Sequence, residues 1–111
     1  MASKPQPKRV VYSPEAREDL ALNYEFTAHN WGLDQAERYA LFLTDAAVEI
    51  ASQPLKGKKL AEYEGIFVTL VRWKNARYGH NIVYRATESG IYVLRILHSA
   101  MDLPLHIVES Q

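Results

Sequence analysis

At 111 residues and 48% hydrophobic side chains, the chain is sized for one domain around a single core, burying roughly 60 to 70% of its unfolded surface. Thirteen Lys and Arg balance thirteen Asp and Glu, so no overall positive field draws it to nucleic acid or anionic lipid. The lack of cysteine excludes disulfides and thiolate chemistry, and no run approaches the ~18 apolar residues of a membrane span.

Residues 1–9 lack the apolar run of a signal peptide and, with Pro5 and Pro7, are expected to be a flexible lead-in to a single domain over 10–111, in a cytoplasmic protein. Val10, Val11 and Tyr12 favour a short strand. Ser13 and Pro14 follow as a helix cap and a first helical residue. A helix is predicted over 14–31, with Ala16, Leu20, Tyr24, Thr27 and Trp31 on its core stripe and Gly32 as its stop. A second helix starts near Asp34 as N-cap and ends before Pro54. It turns Ala36, Tyr39, Ala40, Leu43, Ala46, Ala47, Ile50 and Ala51 to the core. So short a link makes the pair an antiparallel hairpin.

Beyond Pro54 the period moves from 3.6 toward 2. Residues 55–59 read as a loop, and strands are predicted over 66–74, 81–87 and 91–98, with Glu88-Ser89-Gly90 as a tight turn. The last two strands are apolar on both faces, which calls for a sheet covered by helices on one side and partly covered on the other. Residues 99–111 are expected to form a short cap, with Met101 as an apolar plug and Asp102 as a cap or arginine partner. The order β-α-α-β-β-β gives an α+β fold: a two-helix antiparallel hairpin packed on a mainly antiparallel β-sheet, which the first strand either joins or leaves as an unpaired edge.

The five glycines form no nucleotide-binding fingerprint, and GxSxG, HExxH and clustered Cys/His sets are missing, so no cofactor or metal is expected. Of four scattered histidines only His98 stands out, at a strand end. Arg72, Arg77, Arg85 and Arg95 lie close in sequence to Trp73, Tyr78, Tyr84 and Tyr92. Arginine forks beside aromatics serve phosphate and base recognition, and they equally serve a structural ion-pair and cation–π layer. Two apolar pairs fall off the core stripes: Leu22 and Phe26 on the first helix, Leu41 and Val48 on the second. They suggest a surface for an amphipathic partner helix.

The segment Arg95-Ile96-Leu97-His98-Ser99-Ala100-Met101-Asp102 resembles the RILHxxMD ending of ParE toxins in the RelE/ParE superfamily. Val11-Tyr12-Ser13-Pro14-Glu15-Ala16, Trp31-Gly32 with Gln35-Ala36 and Tyr39, Arg72-Trp73, and Val83-Tyr84-Arg85 follow in the family's order. The resemblance implies the toxin of a type II toxin–antitoxin module, neutralised by a ParD-like antitoxin and inhibiting DNA gyrase without catalysis. The superfamily's other branch, ribosome-dependent mRNA endoribonucleases, supplies the alternative, with His98 as general acid or base and Arg85 and Arg95 stabilising a developing dianion. A toxin-like protein that only binds its antitoxin is the third reading. Neutrality weighs against the nuclease, because a protein working among ribosomal phosphates should be strongly basic. Residues 1–55 carry a net −3 and residues 56–111 a net +3, so the sheet half suits an acidic antitoxin segment. Leu22, Phe26, Leu41, Val48, Arg72 and Arg77 are the candidate antitoxin contacts; Arg85, Arg95 and His98 are the candidate target contacts. Sequence-specific DNA binding by this chain alone is not expected.

Overall fold

A computed structural model describes residues 8–101. Residues 1–7 of the expected lead-in and most of the expected C-terminal cap, Asp102 included, lie outside them, while Arg9, expected in the lead-in, already belongs to the first strand, where it pairs with Gly90. Strand β1 (Arg9–Tyr12) leads into helix α1 (Pro14–Trp31), and helix α2 (Leu33–Ser52) follows at once. A 3₁₀ turn (Pro54–Lys56) then precedes β2 (Lys58–Lys59), β3 (Ile66–Val71), β4 (His80–Thr87) and β5 (Gly90–His98). The strands form one mixed sheet in the order β1-β5-β4-β3-β2. β1 pairs parallel with β5, and the other neighbours pair antiparallel.

The hairpin forms for the expected reasons. Ser13 caps α1 by accepting a 2.9 Å bond from the Ala16 N–H, and Pro14 fills the first turn. Gly32, at φ 96°, ends α1 with a backbone bond to the Ala28 carbonyl and is also the residue that caps α2. Asp34 therefore lies inside the first turn of α2, paired with Arg38 at 3.1 Å, and is not the N-cap. Trp31 departs from its expected stripe: it is 68% exposed, because the last turn of α1 runs past the sheet's cover. Lys58 and Lys59, expected in a loop, form a two-residue edge strand whose charged side chains discourage further pairing. β3 stops at Val71, so Arg72, Trp73 and Lys74 belong to the loop that precedes β4.

Two apolar layers account for the doubly hydrophobic strands. Leu43 and Ala51 of α2 and Ala16 of α1 pack on Phe67, Ile82, Tyr84, Val93 and Ile96. The opposite face holds Ile66, Val68, Val83, Leu94 and Leu97, with Leu60, Tyr63 and Tyr92 packed against them. A β-bulge lets β5 serve both layers. Val83 pairs with Arg95 and Tyr84 with Val93, so Leu94 is the extra residue. Val93 and Ile96, three apart, thereby face the same helices.

The bulge is pinned to α1. The Ser13 N–H donates to the Val93 carbonyl at 2.9 Å, and its hydroxyl donates to the Leu94 carbonyl at 2.8 Å. Nearly two turns further on, Asp19 accepts from Arg95 Nε at 2.8 Å, Arg95 Nη2 at 2.9 Å and the Ile96 N–H at 2.9 Å. The sheet is equally close-built at its corners. A Cβ on Gly90 would lie 1.9 Å from the Arg9 carbonyl oxygen across the parallel pair.

Candidate functional site

At the end of the sheet where β4 begins and β5 finishes, His80 and His98 are cross-strand partners with rings edge to face at 5.6 Å. Both point toward the helices. His80 is buried, its Nδ1 lies 2.6 Å from Tyr39 Oη, and the Asn23 amide nitrogen is 3.3 Å from its Nε2. With that amide as donor, the neutral ring carries its proton on Nδ1 and gives it to the tyrosine oxygen. The Tyr39 hydroxyl hydrogen is then left to donate elsewhere. His98 Nδ1 accepts the Ala100 N–H at 3.1 Å, so its neutral ring bears the proton on Nε2.

Burial and the neighbouring His98 ring push the His80 pKa down to about 4, against a smaller upward pull from Asp19. Burial also raises the Tyr39 pKa, which keeps its hydroxyl protonated. The sign of the resulting pH effect follows from linkage. As pH falls from 6.5 toward 4, the unfolded chain gains a proton at His80 that the folded chain refuses, and stability drops. Tyr39 on α2, Asn23 and Asp19 on α1, and His98 on β5 surround the ring. We expect this residue to account for a loss of about 2 kcal/mol between pH 7.5 and pH 5. Urea denaturation at the two pH values checks it, and His80→Gln should remove that part of the difference.

A cavity of about 430 Å³ opens beside this pair, between α1, the start of α2 and the loop after β3. Phe26, Trp31, Tyr39 and Trp73 wall it, and Lys74, His80 and His98 also line it. A neighbouring cavity of about 420 Å³ shares Asn23, Phe26, His80 and His98 and adds Leu22, Arg95 and Met101. The two make one groove along α1. Phe26 is 64% exposed and Leu22 55%.

The candidate residues separate accordingly. Leu22, Phe26, Arg95 and His98 converge on the groove, so residues expected to meet two different partners line one wall. Leu41 and Val48 are exposed on α2 but line neither of these cavities. Arg72 and Arg77 are exposed on the loop that brings Trp73, Lys74 and Ala76 to the cavity, though neither lines it, and the Arg77 guanidinium sits 5.3 Å from the Tyr78 ring centre. Arg95 is held by Asp19 in a bidentate pair, each side chain mostly buried. Arg85 bonds the Glu64 carbonyl at 3.3 Å and pairs in register with Tyr92, on the face opposite the histidines and about 17 Å from His80 along the strand. Tyr84, grouped with the arginines by sequence, is fully buried and donates to the Pro54 carbonyl at 2.6 Å. Met101 is exposed and lines the groove beside Leu22.

Sequence reasoning missed His80, Tyr39 and Asn23 as one network. By sequence His80 reads as an ordinary histidine, and the three become neighbours only through helix-to-sheet packing. No group of three or more His, Asp or Glu that could hold a metal occurs among the described residues. No described helix is long and apolar enough to cross a membrane.

A helical hairpin packed on a sheet is an architecture shared with a solved structure. A chain of the chromosomal ParDE toxin–antitoxin system from P. aeruginosa superposes with a TM-score of 0.64 at 19% identity, over 82% of this chain and 95% of that one. Sequence carries the identification further. Residues 10–103 match the family model for the ParE toxin of type II toxin–antitoxin systems, parDE. Toxin ParE1 from two Mycobacterium tuberculosis strains, CDC 1551/Oshkosh and ATCC 25618/H37Rv, is 33% identical over 96 residues, covering 86% of this chain and 93% of the relative. The chain belongs to the ParE toxin family.

Proposed function

We propose that this toxin acts in the cytoplasm without catalysing a reaction: it inhibits DNA gyrase and is neutralised by a ParD-like antitoxin. The observation that carries the non-enzymatic reading is the engagement of Arg95 by Asp19. A phosphodiesterase needs a general acid or base and cations converging on one scissile phosphate. Here the fork of Arg95 is occupied by a carboxylate, Arg85 lies on the other face of the sheet, and the imidazole nearest His98 is held neutral. The neutral net charge supports the same reading.

The antitoxin seats an amphipathic helix in the groove along α1, burying Leu22 and Phe26, while acidic side chains meet Arg72 and Arg77 at the rim. The test is a supercoiling assay with purified gyrase and plasmid. Added toxin is expected to block supercoiling and accumulate cleaved DNA, and one equivalent of antitoxin to restore the supercoiled product. Unimpaired gyrase together with mRNA cut within codons in a translating extract would overturn the proposal.

A further inference from the structure

Both tryptophans of the chain, Trp31 and Trp73, line the 430 Å³ cavity, and neither role proposed above uses them. The cavity's composition is unlike that of an aliphatic helix-binding groove. Its walls are flat rings, and two of the most exposed, Trp31 and Phe26, stand at its mouth at 68% and 64% exposure. Large exposed apolar side chains gathered around one cavity mark an interaction site. Tyr39 and His98 line the cavity, and each carries a donor, the Tyr39 hydroxyl and the His98 Nε2–H, in the tautomers set by Asn23 and Ala100. Donors among aromatic walls suit a planar ligand with carbonyl oxygens.

The rim supplies cations. Lys74 Nζ lies 5.5 Å from the Trp73 ring centre, Arg77 stacks at 5.3 Å on Tyr78, and Arg72 is exposed on the same loop. Within the described residues none of the three makes a salt bridge. Aromatic platforms flanked by cations are how proteins hold unpaired nucleotides, each base stacking on a ring while the backbone follows the charges. A cavity of this volume falls at the small-ligand end of pocket sizes and accommodates a base with its sugar. The acidic helices limit the length. Glu25, Asp34 and Glu37 lie on α1 and α2 and repel a long polyanion, so a short unpaired stretch fits and a duplex, whose bases are stacked inside, does not.

We infer that the cavity between α1 and the loop 72–79 binds an unpaired base of single-stranded nucleic acid, stacked against Trp31 and Trp73, with Lys74 and Arg77 on the flanking phosphates. The site is for binding only and takes no part in cleavage. It stands independently of the gyrase assignment.

The test uses the full-length toxin freed from antitoxin, titrated with a ten-residue oligothymidylate while tryptophan fluorescence is followed. Since both tryptophans line the cavity, stacking is read directly. Saturable quenching is expected, with affinity falling as salt rises at a logarithmic slope of about −2, the value for three phosphate contacts to a single strand. Trp31→Ala should weaken binding about tenfold. Ala76→Glu, an exposed substitution that places a carboxylate in the cavity, should weaken it at least as much. Lys58→Ala, on the edge strand β2 away from the cavity, should leave the affinity unchanged. The proposal is overturned by equal binding of base-free polyphosphate, by unaltered affinity in both cavity variants, or by the absence of saturable quenching. Quenching by an acidic phenylalanine-containing peptide but not by the oligonucleotide also overturns it, and identifies the cavity as a peptide site. No gyrase is present, so failure of the gyrase reading cannot be confused with failure of this one.

Discussion

Asp19→Ala is expected to lower the stability of the toxin by about 3 kcal/mol, the cost of removing one member of a largely buried ion pair. Three bonds are lost at once. Arg95 loses both arms of its bidentate contact, and the Ile96 N–H loses its acceptor where β5 has just left regular register. Asp19→Asn should cost less, because the amide oxygen can still accept from Ile96 while the charge is gone. Replacing both partners, Asp19→Leu with Arg95→Met, should recover part of the loss, since two charges no longer have to be withdrawn from water. Urea denaturation of the four proteins gives the values, and a double-mutant cycle separates the pair's coupling from the backbone contact. Equal stability of the wild type and Asp19→Ala would show that the pair does not hold α1 to the sheet.

The second large effect concerns antitoxin binding. Leu22→Glu with Phe26→Glu places two carboxylates in the groove along α1 and should weaken antitoxin affinity at least thirtyfold, about 2 kcal/mol, as expected for apolar anchors at an interface centre. Both side chains are more than half exposed, so thermal stability should change little. Leu41→Glu with Val48→Glu is the informative comparison. That pair is equally exposed but lines neither cavity of the groove, and its effect should be less than about threefold. Calorimetric titration with the antitoxin measures both, and equal losses at the two pairs would contradict seating of the antitoxin on α1.

The helices were legible in the sequence because their signals are local. A serine cap, a proline in the first turn, one glycine between the helices and a proline after the second fix 14–31 and 33–52 to within a residue or two. The three long strands are legible through their β-favouring composition and flanking turns, but the sequence extends the first to Lys74, whereas the backbone turns away at Val71. The pairing of Lys58–Lys59 was not visible, because two lysines after a glycine carry no strand signal of their own. Nor was the bulge: Leu94 fits an unbroken alternation as well as an interrupted one, and only the contacts of Ser13 and Asp19 reveal the extra residue. The arginine and aromatic set held two meanings at once, and the fold divides it. Arg95 and Tyr84 hold the structure together, while Arg72, Trp73, Arg77 and Tyr78 stay in the loop at the groove. The split follows from helix-to-sheet docking, which spacing along the chain does not encode.

The pegs between α1 and the bulge join residues 76 to 81 positions apart, and the groove draws its lining from just as wide a span, Asp19 to Met101. Contacts so distant along the chain repay their loop-closure cost only after the last strand has docked, which makes folding slow for a domain of this size. Until then the groove does not exist. Because the groove is also the surface proposed for the antitoxin, an unfinished chain offers it nothing to hold, and neutralisation begins only once the toxin has completed its fold.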